Sequence, residues 1–346
     1  MAMGVGWTKA AAAPIPGRPG WTAVLGSLGG VFLGGVLLLA VWGKMLDPVA
    51  FTEVIEIEGL AFLVPARIVA AFAVTLEAFL GFALLLNVRR LWVLVPTAVL
   101  AAFFLFLTGR AYVATLHGHP PATTSCGCFG NLMDRTPAEA FWQDFLLLVP
   151  PLLLAFLGRP WGRPRVPPIR GVLVAFLTAS VLTMTWMAPA LPLDDLATRL
   201  SPGVHVKDLC AGEGEDRLCL GGEAMAWQLT TGEHVVVIAD LKDPAFVEEV
   251  SERLEEFLDF QGDALDPRIL VLYSGTKDDS SEFAFRSRSP PFNYQEAPRA
   301  LLRPLYRRLP RTFVVRDGVV TQTFDGLPPL GEFSLSDEEE GPGGNE

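Results

Sequence analysis

Five apolar runs constrain this chain more than anything else in it. They cover residues 21–43, 67–86, 91–116, 141–157 and 172–190. A hydrocarbon core about 30 Å thick takes roughly 20 residues of helix to cross, and each run meets or approaches that length. Asp144 is almost the only charge in the fourth. A multi-pass all-α membrane region is therefore predicted before residue 192. The first run is too long for a signal peptide, and Ala40-Val41-Trp42-Gly43-Lys44 is a poor cleavage site, so it is expected to stay as a span.

Basic residues in short connections mark the cytoplasmic side. Lys9 and Arg18 precede the first run, Arg89 and Arg90 join the second to the third, and Arg159, Arg163, Arg165 and Arg170 join the fourth to the fifth. The first connection instead carries Glu53, Glu56 and Glu58. This alternation predicts a plasma (inner) membrane protein with its amino terminus in the cytoplasm. The third connection and everything after about Leu191 are then extracytoplasmic. The net charge of -11 belongs mainly to that later half, which argues against nucleic acid as a partner.

All four cysteines fall in regions expected outside: Cys126, Cys128, Cys210 and Cys219. Cys126-Gly127-Cys128 can close a disulfide only if the backbone bends, which the glycine permits. A ring that small holds no distant segments together, and strained or exposed disulfides are the reactive ones. A redox pair is the favoured reading. Structural cross-links to Cys210 and Cys219 are one alternative. A metal set of His117, His119, Cys126 and Cys128 is the other. Cys210 and Cys219 flank a polar stretch with turn residues and read as a hairpin closed by a disulfide.

The segment Cys126-Gly127-Cys128-Phe129-Gly130 between the third and fourth runs resembles the MauE family, within the wider DoxX-like membrane proteins. Gly43-Lys44, Asp47-Pro48 and Phe51 after the first run agree with it, as do Glu77, Gly81 and Leu84 to Leu86 in the second. The resemblance covers about residues 26–157. It implies a four-helix membrane unit tied to redox chemistry, in a family whose named member is needed to make methylamine dehydrogenase. It further implies Cys126 and Cys128 as the redox pair, Glu77 and Lys44 in supporting places, and a membrane quinone as the candidate cofactor. A fifth span and a large outer region depart from the family's pattern.

Glu77 lies about ten residues into its run, near the midplane, where a carboxyl is costly and faces a partner or a cavity. A proton acceptor and an interhelical hydrogen bond are the two readings of it.

Beyond residue 192 strand-like and helix-like stretches alternate. Strands are expected at 234–241, 268–273, 311–316 and 319–324, the last two joined through Asp317-Gly318. Helices are expected at 244–260 and 301–309, and a loop with an insertion at 274–298. The order, with Leu309-Pro310 opening a strand, resembles the thioredoxin fold, which implies a cis proline there. The place of that fold's Cys-x-x-Cys is taken by Asp240-Leu241-Lys242-Asp243. The expected domains are a cytoplasmic tail (1–21), a four-helix membrane domain (22–158), a basic loop with the fifth helix (159–192), a cysteine-containing connector (193–232), an α/β thioredoxin-like domain (233–330) and an acidic tail (331–346). The function expected is support of thiol–disulfide exchange, or maturation of extracytoplasmic proteins, with the lipid bilayer and those proteins' thiols and disulfides as partners. A non-catalytic assembly factor with structural cysteines is the alternative.

Overall fold

A computed structural model describes residues 20–118, 135–160, 167–191, 193–212, 217–222, 229–262, 269–328 and 330. Five helices are long and apolar enough to cross a membrane, so the chain is a multi-pass membrane protein. In chain order they are α1 (Gly20–Leu46), α3 (Ala66–Leu85), α4 (Leu91–Leu116), α5 (Pro137–Leu157) and α6 (Pro168–Met187). A short helix, α2 (Pro48–Ile57), lies between the first two. In hydrocarbon a backbone must satisfy its own polar groups, which is why these runs are helical throughout. The expected boundaries shift by at most about a turn. Thr136 starts α5 earlier than its apolar residues do, because its hydroxyl accepts from Glu139 N while Glu139 answers to Thr136 N.

Two compact units form. The first holds α1 as far as Trp42, α3 from Ala71, α4, α5 and α6 as far as Thr183. Its helices meet at small residues, as expected where lipid supplies no hydrophobic drive. A Cβ at Gly34 would stand 2.7 Å from Gly81 O and 2.9 Å from Leu85 N, and one at Gly29 would stand 2.6 Å from Pro151 O. Leu33, Leu37, Leu80, Leu84, Leu94 and Leu148 fill the space between. Arg89 is buried and donates from Nη1 to Gly158 O at 2.6 Å, satisfying a carbonyl that the end of α5 leaves open. Burial pulls that guanidinium below its ordinary range.

The second unit takes in Gly43–Ala70 and the chain from Met184. It contains α2, α7 (Asp194–Ala197), β1 (Cys210–Ala211), β2 (Leu218–Cys219), β3 (Glu233–Ile238), α8 (Pro244–Glu252), α9 (Leu254–Gln261), β4 (Ile269–Tyr273), α10 (Lys277–Arg286), β5 (Phe292–Glu296), α11 (Arg299–Leu302), β6 (Arg311–Arg316) and β7 (Val319–Asp325). The main sheet has the order β5-β4-β3-β6-β7, with β3, β4 and β5 parallel, β6 antiparallel to β3, and β7 antiparallel to β6. The Leu309–Pro310 peptide before β6 is cis. Asp317 and Gly318 both take positive φ, 48° and 77°, which a two-residue hairpin turn of this hand requires.

Strand alternation sorts the core into two layers. Val235 and Val237 face Phe246, Val250, Phe257 and Phe283. Val236 and Ile238 face the opposite layer. Three expectations need correction here. The stretch 301–309 is helical only as far as Leu305, through α11 and one 3-10 turn, and in the stretch read as a connector Leu200, Val206, Leu209, Leu220 and Leu229 are buried in that opposite layer. Residues 274–298 are no loop, since they form α10 and the edge strand β5. Polar side chains hide the helix, whose start is held by Asp279 Oδ2 accepting from Thr276 N at 2.8 Å. The stretch 244–260 is two helices, parted at Arg253, which reaches Pro328 O at 2.7 Å.

Candidate functional site

Cys126, Cys128 and His119 lie outside the described residues. His117, at the end of α4, has Nδ1 2.8 Å from Val113 O. Among the described residues no group of three or more His, Cys, Asp and Glu side chains is placed to hold a metal.

Glu77 is fully buried in the first unit, one turn before Gly81, where α3 meets α1. Asp144 on α5 is buried as well. Lys44, in the second unit, is 1% exposed, and its ammonium stands 4.9 Å from the centre of the Phe51 ring.

Cys210 and Cys219 are directly opposed on β1 and β2 and joined by a disulfide. Leu209 and Leu220 beside them belong to the core. With these two sulfurs bonded to each other, cross-links from Cys126 and Cys128 to this hairpin are not made in this state.

The carboxyl end of β3 opens onto a cleft of about 790 Å³. One wall is Val49 and Glu53 of α2, and the other includes Asp240, Lys242, Leu302, Tyr306 and Leu309. Asp240 Oδ1 accepts from Lys242 N, Asp243 Oδ1 caps α8 through Ala245 N, and Lys242 Nζ lies 3.2 Å from Asp279. These side chains serve local structure, and none is a thiol.

Beside the cleft, Arg303 and Arg299 hold α2. Arg303 Nε donates to Glu53 Oε2 at 2.8 Å and its Nη1 to Asp47 Oδ2 at 3.3 Å, while Arg299 Nη2 reaches Glu53 Oε2 at 2.9 Å. Asp47 also caps α2, its Oδ1 accepting from Ala50 N. Burial pushes the Asp47 carboxyl above its usual range although Arg303 draws it down. Burial draws Arg303 down too, but Asp47 and Glu53 together hold it above its ordinary value. Burial also raises the Tyr306 hydroxyl. Sequence reading missed this cluster. Arginines at 299, 303 and 307 recur every four residues, which marks one face, but nothing local names carboxylates some 250 positions earlier.

Residues 22–158 match the family model described as methylamine utilisation protein MauE. The match runs from α1 to the end of α5 and includes Lys44, Glu77, Cys126 and Cys128. No curated protein and no solved structure matches the chain. The similarity thus stops short of α6, the disulfide hairpin and the five-stranded sheet.

Proposed function

We propose that this chain supports thiol–disulfide exchange on the outer side of the plasma membrane, with Cys126 and Cys128 as the redox pair. The observation that carries this reading is the family match over residues 22–158, which contains both cysteines. Arginine-rich loops support a cytoplasmic amino terminus and an outer second unit. The Cys210–Cys219 disulfide supports an oxidising compartment. We read the second unit as thioredoxin-like, supported by β4 parallel and β6 antiparallel to a central β3. It has no cysteine pair of its own after β3, so it serves to receive a protein rather than to oxidise or reduce one.

In the exchange, a thiolate attacks one sulfur of a disulfide, forming one S–S bond as another breaks, and the departing sulfur takes the proton. The second cysteine of the attacking pair then displaces the mixed disulfide. Two electrons have passed between Cys126 and Cys128 and a partner's cysteines. The pair would exchange those electrons with a membrane quinone, and Glu77 would take up a proton that the two thiols release when they are oxidised to the disulfide. The family's name concerns methylamine utilisation. The role carried over here is the broader one, maturation of extracytoplasmic proteins.

Alkylation of thiols in whole cells tests this. Cys126 and Cys128 should become reactive under mild reduction, before the protein unfolds. If they stay blocked until denaturation, the redox reading fails. One observation favours a non-catalytic assembly factor instead: Asp240, Lys242 and Asp243 are engaged locally where a thioredoxin holds its thiols. Replacing both cysteines by serine separates the two, since an assembly factor leaves the disulfides of outer proteins unchanged.

A further inference from the structure

The helix α2 is held unlike the rest of the second unit. Ile55 is its one buried side chain among the described residues, and it packs only in a small cluster with Phe51, Leu60, Ala66, Val69 and Ala70. What ties α2 to α11 and the turn after it is charge: Glu53 to Arg299 and Arg303, and Asp47 to Arg303. Two of those four groups remain open to water, Glu53 at 30% and Arg299 at 57% exposed, whereas Asp47 and Arg303 are shielded. The same helix forms one wall of the cleft at the end of β3. Elements with little apolar burial and solvent-accessible ion pairs lie at the low end of local stability. The cap and the clamp also share a residue: Asp47 caps α2 through Oδ1 and meets Arg303 through Oδ2.

We propose that α2 is a displaceable latch over the strand-end cleft, seated by Arg299 and Arg303 and released while the five-stranded sheet stays folded. Its departure widens the cleft and frees two guanidiniums, so the polypeptide that takes its place is one presenting carboxylates. This inference stands apart from the redox reading, since it involves no cysteine.

Hydrogen exchange on the full chain in detergent micelles tests it. The amides of α2 should exchange faster than those of β3 and β4. Glu53→Gln should speed α2 by roughly five- to tenfold, as loss of a partly buried pair of contacts would, and leave the sheet unchanged. Polyglutamate at low salt should speed exchange in α2 of the unaltered protein, whereas polylysine should not. If α2 and the sheet exchange together, or if Glu53→Gln changes neither, the latch is overturned. If only polyglutamate has no effect, the carboxylate-bearing occupant is overturned and the latch stands.

Discussion

Arg303 Nε donates to Glu53 Oε2 at 2.8 Å although the two residues are 250 positions apart. Glu53 belongs to the connection after the first span and Arg303 to the turn after α11, so one side chain joins the two ends of the second unit. Asp47, its other partner, is 6% exposed, and Arg303 itself 12%.

Arg303→Met should therefore be costly. It leaves the Asp47 carboxyl buried without its guanidinium, and breaking a buried pair costs about 3 kcal/mol. Thermal unfolding in detergent should show the loss. A change within error would mean that Arg303 does not hold α2.

Close packing in the first unit gives a matched pair of tests. Gly34→Ala places a methyl against the Gly81 carbonyl and the Leu85 nitrogen, backbone atoms that cannot swing aside. A loss of about 1–3 kcal/mol is expected. A Cβ at Gly35, one residue on, meets nothing within 4 Å. Gly35→Ala should be neutral or slightly stabilising, since alanine favours helix by up to about 1 kcal/mol. Equal effects at the two positions, read by thermal stability, would contradict the α1–α3 contact.

Two carboxyls should respond oppositely to acid. A hydrogen bond from Arg253 holds Glu256 below the ordinary glutamate value of 4.5. Its contribution is present above that value and is lost as pH falls through the depressed one. Asp47 is raised above the ordinary aspartate value of 3.8, so its share of folding stability is greatest below 3.8 and declines as pH rises through its folded value. The difference in melting temperature between the protein and Glu256→Gln should shrink below about pH 4.5. A constant difference would deny Glu256 its role.

The disulfide hairpin is the last case. Cys210 and Cys219 are nine positions apart, and closing so short a loop is worth roughly 2–3 kcal/mol. Replacing both by serine should lower the melting point of the second unit, because the loop is flanked by the core residues Leu209 and Leu220. Unchanged stability would make the bond incidental to the fold.

Much of the architecture was legible in local patterns. The five spans announced themselves by length, the strands around Val236, Leu270 and Phe313 by β-branched and aromatic runs, and the last hairpin by Asp317-Gly318. The helix α10 and strand β5 were hidden because Phe283, Phe285 and Phe292 are scattered among polar residues and prolines, so neither period showed. Residues 193–232 looked like linker for a similar reason. Leu200, Val206, Leu209, Leu220 and Leu229 are too widely spaced to show a period, yet each is buried once the sheet offers a face to cover.

What the sequence determined by itself is whatever depends on neighbours along the chain: membrane-length helices, the Asp317-Gly318 turn, and the short separation of Cys210 from Cys219. The tertiary structure alone decided which charges meet. Arg299 and Arg303 are surface-like arginines in a row until α2 brings Asp47 and Glu53 against them. An ion pair depends on a few ångströms of separation, and sequence distance does not encode that once the chain has folded back on itself.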